Sequence, residues 1–217
     1  MLSNLFEIAL LLTDGVKYTV ALFAVTIIGS LPLGLVLTFL RIGKNRVLRG
    51  ITAFYVYIMR GTPLLLQLYF FYFGLPFIPG MKNVIVLDRL SAAMLAFVLN
   101  YAAYFCEIFR GGMISVDKGQ YEAARVLGFS KAQTLGKIVL PQMLRVSLPS
   151  IANEAITLVK DTALVTAIGV TEILYFAKAT VNRQAVFTAY PVAAVFYLVM
   201  TFVITKLFEH LEHKYSF

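Results

Sequence analysis

The sequence predicts an all-α protein that crosses a lipid bilayer five times. Three observations carry this prediction. Sixty percent of the 217 residues are hydrophobic and only 14% are charged, far from the average of soluble domains. Several apolar runs reach the roughly 20 residues that a helix needs to cross a bilayer core. The basic residues gather in the intervals between those runs, as the positive-inside rule expects. That distribution also argues against reading the formal net charge of +8 as a nucleic-acid surface. The single cysteine, Cys106, excludes an intrachain disulfide and a Cys-based metal site, and its place beside a span suggests a small buried apolar residue. His210 and His213 lie on a polar C-terminal stretch with no third ligand nearby. Residues 1–16 lack the basic start and cleavage site of a signal peptide. With no internal repeat and no linker, residues 1–217 read as a single transmembrane domain.

Taken in order, residues 1–16 are too short to span and suit a helix at the membrane surface, with Asp14-Gly15 as a turn. The first span covers roughly Tyr18 to Leu40, where Gly29, Pro32 and Gly34 predict a kink and a close helix contact. The second starts near Ile51 and is interrupted at Arg60-Gly61-Thr62-Pro63, because proline removes a backbone donor. Arg60 is expected to meet the carbonyls that Pro63 frees, or to snorkel to the surface. Tyr69 to Phe73 form an aromatic end typical of a membrane interface. A loop with Pro76, Pro79 and Gly80 comes next. The third span runs from about Leu90 to Phe109, and Glu107 and Arg110, three apart, fall on one face. The fourth covers about Ser147 to Val170 and the fifth about Ala185 to Thr205, before a charged tail. Tyr18 and Tyr190 suit interface anchors.

Five spans place the two termini on opposite sides. The intervals 41–50, 107–145 and 206–217 hold twelve Lys and Arg, and the opposite set, 1–17, 75–89 and 172–184, holds five. The N-terminus is therefore expected outside and the C-terminus in the cytoplasm.

The fourth span is chemically anomalous. Glu154, Lys160 and Asp161 stand in an otherwise apolar helix, where a charge costs a few kcal/mol and normally faces a bundle interior or a water-filled cavity. At roughly 100° per residue, Ser147, Ser150, Glu154, Thr157 and Asp161 fall within about 80° of one another, with Asn153 and Lys160 alongside. Such a stripe can line a path for a zwitterion. An acid would take the ammonium or a cationic side chain, and Lys160 the carboxylate. The alternative is that these charges pair with one another or across a dimer interface. Asn100, with Tyr104 and Glu107, and Gln67, with Thr62, supply further polar groups, either for that path or for interhelical hydrogen bonds.

The longest polar interval, Gln120 to Pro141, reads QYEAARVLGFSKAQTLGKIVLP. Glu122 to Leu127 are good helix formers, Gly128 can take the left-handed conformation that ends a helix, and Ser130 with Gln133 forms a capping-box pattern. Pro141 is expected to end or kink the chain beyond it. Two short helices with a break would thus sit on the membrane surface. Glu122-Ala123-Ala124, Gly128, Ile138 and Leu140-Pro141, at this spacing, resemble the EAA loop of ABC-importer permeases. The stretches RGTPLLLQLYFFYFGLP (60–76), NYAAYFCEIFRGGMISVDKGQYEAA (100–124) and NEAITLVKDTALVTAIGVTEIL (153–174) are similar to permeases of the histidine, glutamine and arginine uptake type.

The resemblance implies a type I ABC-importer permease architecture in a bacterial cytoplasmic (inner) membrane. It implies that a loop at about 117–141 docks on a separate ATPase through Tyr121, Glu122, Ala123, Ala124, Arg125, Leu127 and Gly128. It also implies a second permease chain, identical or paralogous, an ATPase dimer, an extracytoplasmic binding protein, and a polar or basic amino acid as substrate. ATP and Mg would bind the partner ATPase, since this chain holds no G-x-x-x-x-G-K-[ST] and Gly136-Lys137-Ile138 fails that pattern. Two rival readings need different features. An ion-coupled carrier would use Glu154 and Asp161 as a relay, but no matched broken helices appear in two halves. An intramembrane enzyme would need a nucleophile–base pair or zinc motif, and neither histidine lies in a span.

Overall fold

The computed structural model describes residues 2–78, 87–185 and 187–215, and every regular element among them is helical. The first helix, α1 (Leu2–Ile42), is unbroken over 41 residues, about 60 Å at 1.5 Å per residue and well beyond the thickness of a bilayer core. The surface helix expected over residues 1–16 and the turn at Asp14-Gly15 therefore do not form as separate features. Packing explains this. Leu12 and Ile8, one and two turns before Gly15, are buried together with Ile173, Ala177 and Val181. At Gly15 the neighbouring chain comes so close that an added Cβ would stand 2.5 Å from the Ile173 nitrogen. Further along, Gly34 supplies the close contact that the sequence predicts, since a Cβ there would lie 2.7 Å from Cβ of Phe105. Pro32 stands inside α1 without ending it.

Helix α2 (Arg46–Gly61) starts five residues before the expected boundary, because the Asn45 side chain caps it by accepting from the Val47 and Leu48 amides at 2.9 and 3.2 Å. The predicted interruption falls at Thr62-Pro63, after which α3 (Leu64–Tyr69) passes into a π turn (Phe70–Gly74) and a 3₁₀ turn (Leu75–Phe77). Pro79 and Gly80 lie outside the described residues. Helix α4 (Arg89–Ser115) is the centre of the molecule. Ala96, Phe97, Tyr101, Phe105 and Phe109 on it are buried, and Cys106 is fully enclosed, as the sequence suggests.

The polar interval forms α5 (Lys118–Val126) and α6 (Lys131–Thr134). A π turn over Leu135–Val139 then leads straight into α7 (Leu140–Asp161). Pro141 therefore does not end the helix. It lies in the first turn of α7, and the widened turn before it makes room for its ring. At Asp161 the helix tightens to a 3₁₀ segment, Thr162–Ile168, and Gly169 at φ 76° turns the chain. Residues 172–184, expected as a loop, form α8 (Ile173–Gln184), set at 52° to the helix before it. The buried Glu172 caps α8 and joins three elements at this bend. It accepts from the Tyr175 amide at 2.8 Å, from Thr166 Oγ1 at 2.5 Å and from the Tyr197 hydroxyl at 2.5 Å. Finally, α9 (Ala189–Tyr215) extends through the expected tail.

Among the described residues, three helices are long and apolar enough to cross a membrane: Asn4–Ile42, Arg89–Ser115 and Ala189–Lys214. Counting the bent α7–α8 pair as one crossing gives four. Exposed apolar side chains along α9, among them Leu198, Val199, Phe202 and Val203, suit contact with lipid or another apolar surface.

Candidate translocation site

A cavity of about 500 Å³ lies where the α2–α3 break meets the middle of α4 and the C-terminal half of α7. The proline that breaks the helix also explains the polar groups around it. Pro63 has no N–H, so the carbonyl four residues earlier, at Met59, lacks its helical donor. Gln67 Nε2 and Asn100 Nδ2 donate to that carbonyl at 2.9 and 3.0 Å. Gln67 also donates to the Thr62 carbonyl at 3.2 Å and to Thr62 Oγ1 at 2.8 Å, and Asn100 donates to Gln67 Oε1 at 3.0 Å. Both side chains are buried. Asn100 borders the cavity, whereas Gln67 does not line it. Arg60 is not engaged with those carbonyls, the first of its two expected placements, because two uncharged amides already satisfy them. Its guanidinium lies over the Tyr104 ring, 5.3 Å from the centroid, and 3.9 Å from Glu107.

The predicted stripe on α7 divides. Glu154, Thr157 and Asp161 line the cavity together with Asn100, Tyr101 and Tyr104. Ser147 instead packs against α4, where its hydroxyl faces the Ile108 carbonyl and Gly112 leaves space for it. Ser150, Asn153 and Lys160 are exposed and line no part of this cavity. Asp161 accepts a hydrogen bond from the Tyr101 hydroxyl at 2.8 Å. Glu154, half-buried, has no hydrogen-bond or ion-pair partner among the described residues. Tyr101 was not legible as a site residue, since nothing distinguishes it from the other aromatics of this span. Glu172 was missed too, although Gly169 with Thr171-Glu172 close behind is a helix-stop and helix-start signal.

Glu107 takes part in a separate cluster. Arg41 lies 3.0 Å from it and Arg110 2.8 Å, the latter matching the predicted pair. Arg41, Arg46, Arg49 and Arg110 line a second cavity of about 540 Å³, which no acidic residue borders among the described residues.

The polar loop has the predicted punctuation. Gly128 stands at φ 77°, and the Gly128 and Phe129 amides donate to the Arg125 and Ala124 carbonyls at 3.1 and 2.9 Å, a Schellman ending. The capping box at Ser130 and Gln133 is complete. Ala124 is buried and anchors α5, whereas Tyr121, Glu122, Ala123 and Arg125 face outward, as do Val126 and Leu127, which are 88% and 73% exposed.

The family model described as "Binding-protein-dependent transport system inner membrane component" matches residues 11–217. This chain belongs to that family. Among its relatives, the L-cystine transport system permease protein TcyB of Bacillus subtilis (strain 168) is 36% identical over 206 residues, 94% of this chain and 86% of the relative. The arginine transport system permease protein ArtQ of the same organism is 37% identical over 202 residues, covering 93% and 90%. A solved structure described as an amino acid ABC transporter with histidines superposes with a TM-score of 0.87 at 29% identity, covering 97% of each chain. The inward-facing MetNI methionine ABC transporter, at 22% identity and a TM-score of 0.77, shares the fold. The chain is thus a transport subunit, the translocating permease of an ABC importer, and ATP hydrolysis falls to a separate subunit. None of these likenesses supports an ion-coupled carrier.

Proposed function

We propose that this permease carries a polar or basic amino acid through the cavity bordered by α2, α4 and α7, and that its α5–α6 loop takes force from the ATPase. The observation that carries the substrate reading is Glu154: a half-buried carboxylate, unpartnered among the described residues, opening into a cavity of about 500 Å³. An amino acid fits such a volume, and its ammonium would relieve the cost of holding within the membrane a carboxylate that no hydrogen bond or ion pair engages. The names of the cystine and arginine relatives support an amino acid substrate. The exposed apolar tip formed by Val126 and Leu127, held on a rigid turn, suits docking into a cleft on a partner. ATP and Mg bind that partner, and no cofactor binds this chain.

In this reading the chain crosses a bacterial cytoplasmic membrane five times, with α2 and α3 forming one broken crossing and α7–α8 another. The basic cavity lined by Arg41, Arg46, Arg49 and Arg110 lies at the end of α4 that leads into α5. This supports a cytoplasmic loop and C-terminus and an external N-terminus. A second permease chain, identical or paralogous, completes the path, and an extracytoplasmic binding protein delivers the substrate. The test is titration calorimetry on the purified permease–ATPase complex with arginine, lysine, histidine, glutamine and cystine. Binding of one of them to wild type and a loss of roughly tenfold or more in Glu154→Gln is expected. Equal affinity in the variant would remove Glu154 from the path.

A further inference from the structure

The cavity contains a cation that the stripe on α7 does not supply. Of the described residues lining it, Glu154 and Asp161 are acidic, and Arg60 is the one basic side chain. Lys160, the residue that sequence pattern suggests for binding a substrate carboxylate, is exposed and lies outside the lining. Arg60 comes from a different element, the last turn of α2 just before the break. Its ring contact with Tyr104, itself a lining residue, holds the guanidinium at the cavity. It is also the most loosely held of the three arginines around Glu107: 3.9 Å, against 3.0 Å for Arg41 and 2.8 Å for Arg110. Glu107 therefore keeps two close partners when Arg60 turns away.

Resting on the substrate reading above, we infer that Arg60 is a specificity residue that binds the α-carboxylate of a basic L-amino acid, while Glu154 and Asp161 face its two cationic groups. The charges complement one another. A basic amino acid brings two positive groups and one negative, and the cavity presents two negative groups and one positive. A neutral amino acid would leave one carboxylate without a cation, which is costly within a membrane. Glu154 and Asp161 are seven residues apart on α7, about 10 Å along its axis, a separation comparable to that between the two ends of an extended basic amino acid. A guanidinium meets a carboxylate with two parallel hydrogen bonds, so Arg60 would select for that group by geometry as well as charge.

The experiment compares arginine with agmatine, the same molecule without the carboxylate, by titration calorimetry on the permease–ATPase complex without any binding protein. Wild type is expected to bind arginine roughly tenfold to a hundredfold more tightly than agmatine. In Arg60→Gln, arginine is expected to fall to the level of agmatine, while agmatine binding is retained or strengthened. Arg60→Lys, which keeps the charge but loses the fork, should give an intermediate ratio. An undiminished preference for arginine in Arg60→Gln would overturn the assignment, as would equal affinities in wild type. A parallel loss of both ligands in both variants would mark Arg60 as structural and equally overturn it. If wild type binds neither arginine nor agmatine but does bind glutamine or cystine, the cavity still serves a substrate and only the basic-ligand assignment fails. If it binds no amino acid at all, the underlying substrate reading fails with it.

Discussion

Met59 shows how one missing amide organises the surrounding polar groups. Pro63 leaves its carbonyl without a helical donor, and Gln67 and Asn100 both turn to it. In lipid, no water is available to do the same. Replacing Gln67 with Leu is therefore expected to destabilise the protein by about 1–2 kcal/mol, visible as a lower midpoint in thermal unfolding of the detergent-solubilised permease. An unchanged midpoint would show that Asn100 alone satisfies the break. Residue types were legible here and partners were not. Gln67, Thr62 and Asn100 are visibly polar in apolar runs, but only the fold shows that they converge on one carbonyl. Arg60 is the converse case: its charge suggested the carbonyls, and neutral amides already held them. The split of the α7 stripe has a similar cause. Helical spacing places five residues on one face, but α4 covers that face at Ser147 and leaves it open at Glu154.

At the scale of elements, punctuation in the sequence was mostly readable. Gly128 and the Ser130–Gln133 box predict a break between two helices in the polar interval, and that break forms, although the second helix runs on through a π turn into α7 instead of ending. The geometry rests on Gly128 at φ 77°, a conformation that costs a branched or bulky residue about 1–2 kcal/mol. Gly128→Leu is expected to leave membrane insertion intact and to abolish most substrate-stimulated ATP hydrolysis of the assembled transporter. Hydrolysis at the wild-type level would mean that the loop tolerates a misdirected α5. Elements were misread where long-range packing overrides a local signal. Asp14-Gly15 is a turn pair by composition, yet the close approach of Ile173 keeps it helical. Gly169 and Glu172 mark α8 in the sequence, but its apolar residues merge with those of the preceding span.

At the scale of the whole molecule, hydropathy and charge asymmetry indicate a helical membrane protein, and the EAA spacing indicates its family. Which helices pack centrally was not readable, because a lipid-facing helix and a core helix have the same composition. Helix α4 is enclosed, α9 presents apolar side chains outward, and the sequence treats them alike. The cavity joins residues from three segments that are separated by up to 104 positions, Arg60 to Leu164, so no local pattern could reveal it. In the proposed function this chain moves an amino acid with ATP that another subunit hydrolyses, and the α5–α6 loop passes on the force. The most direct test is uptake of labelled arginine, lysine, histidine, glutamine or cystine into proteoliposomes holding the permease, its ATPase and the binding protein. Accumulation of one of these is expected to require ATP on the side of the ATPase and to persist when ion gradients are collapsed. Accumulation driven by an ion gradient alone, with the ATPase left out, would contradict it.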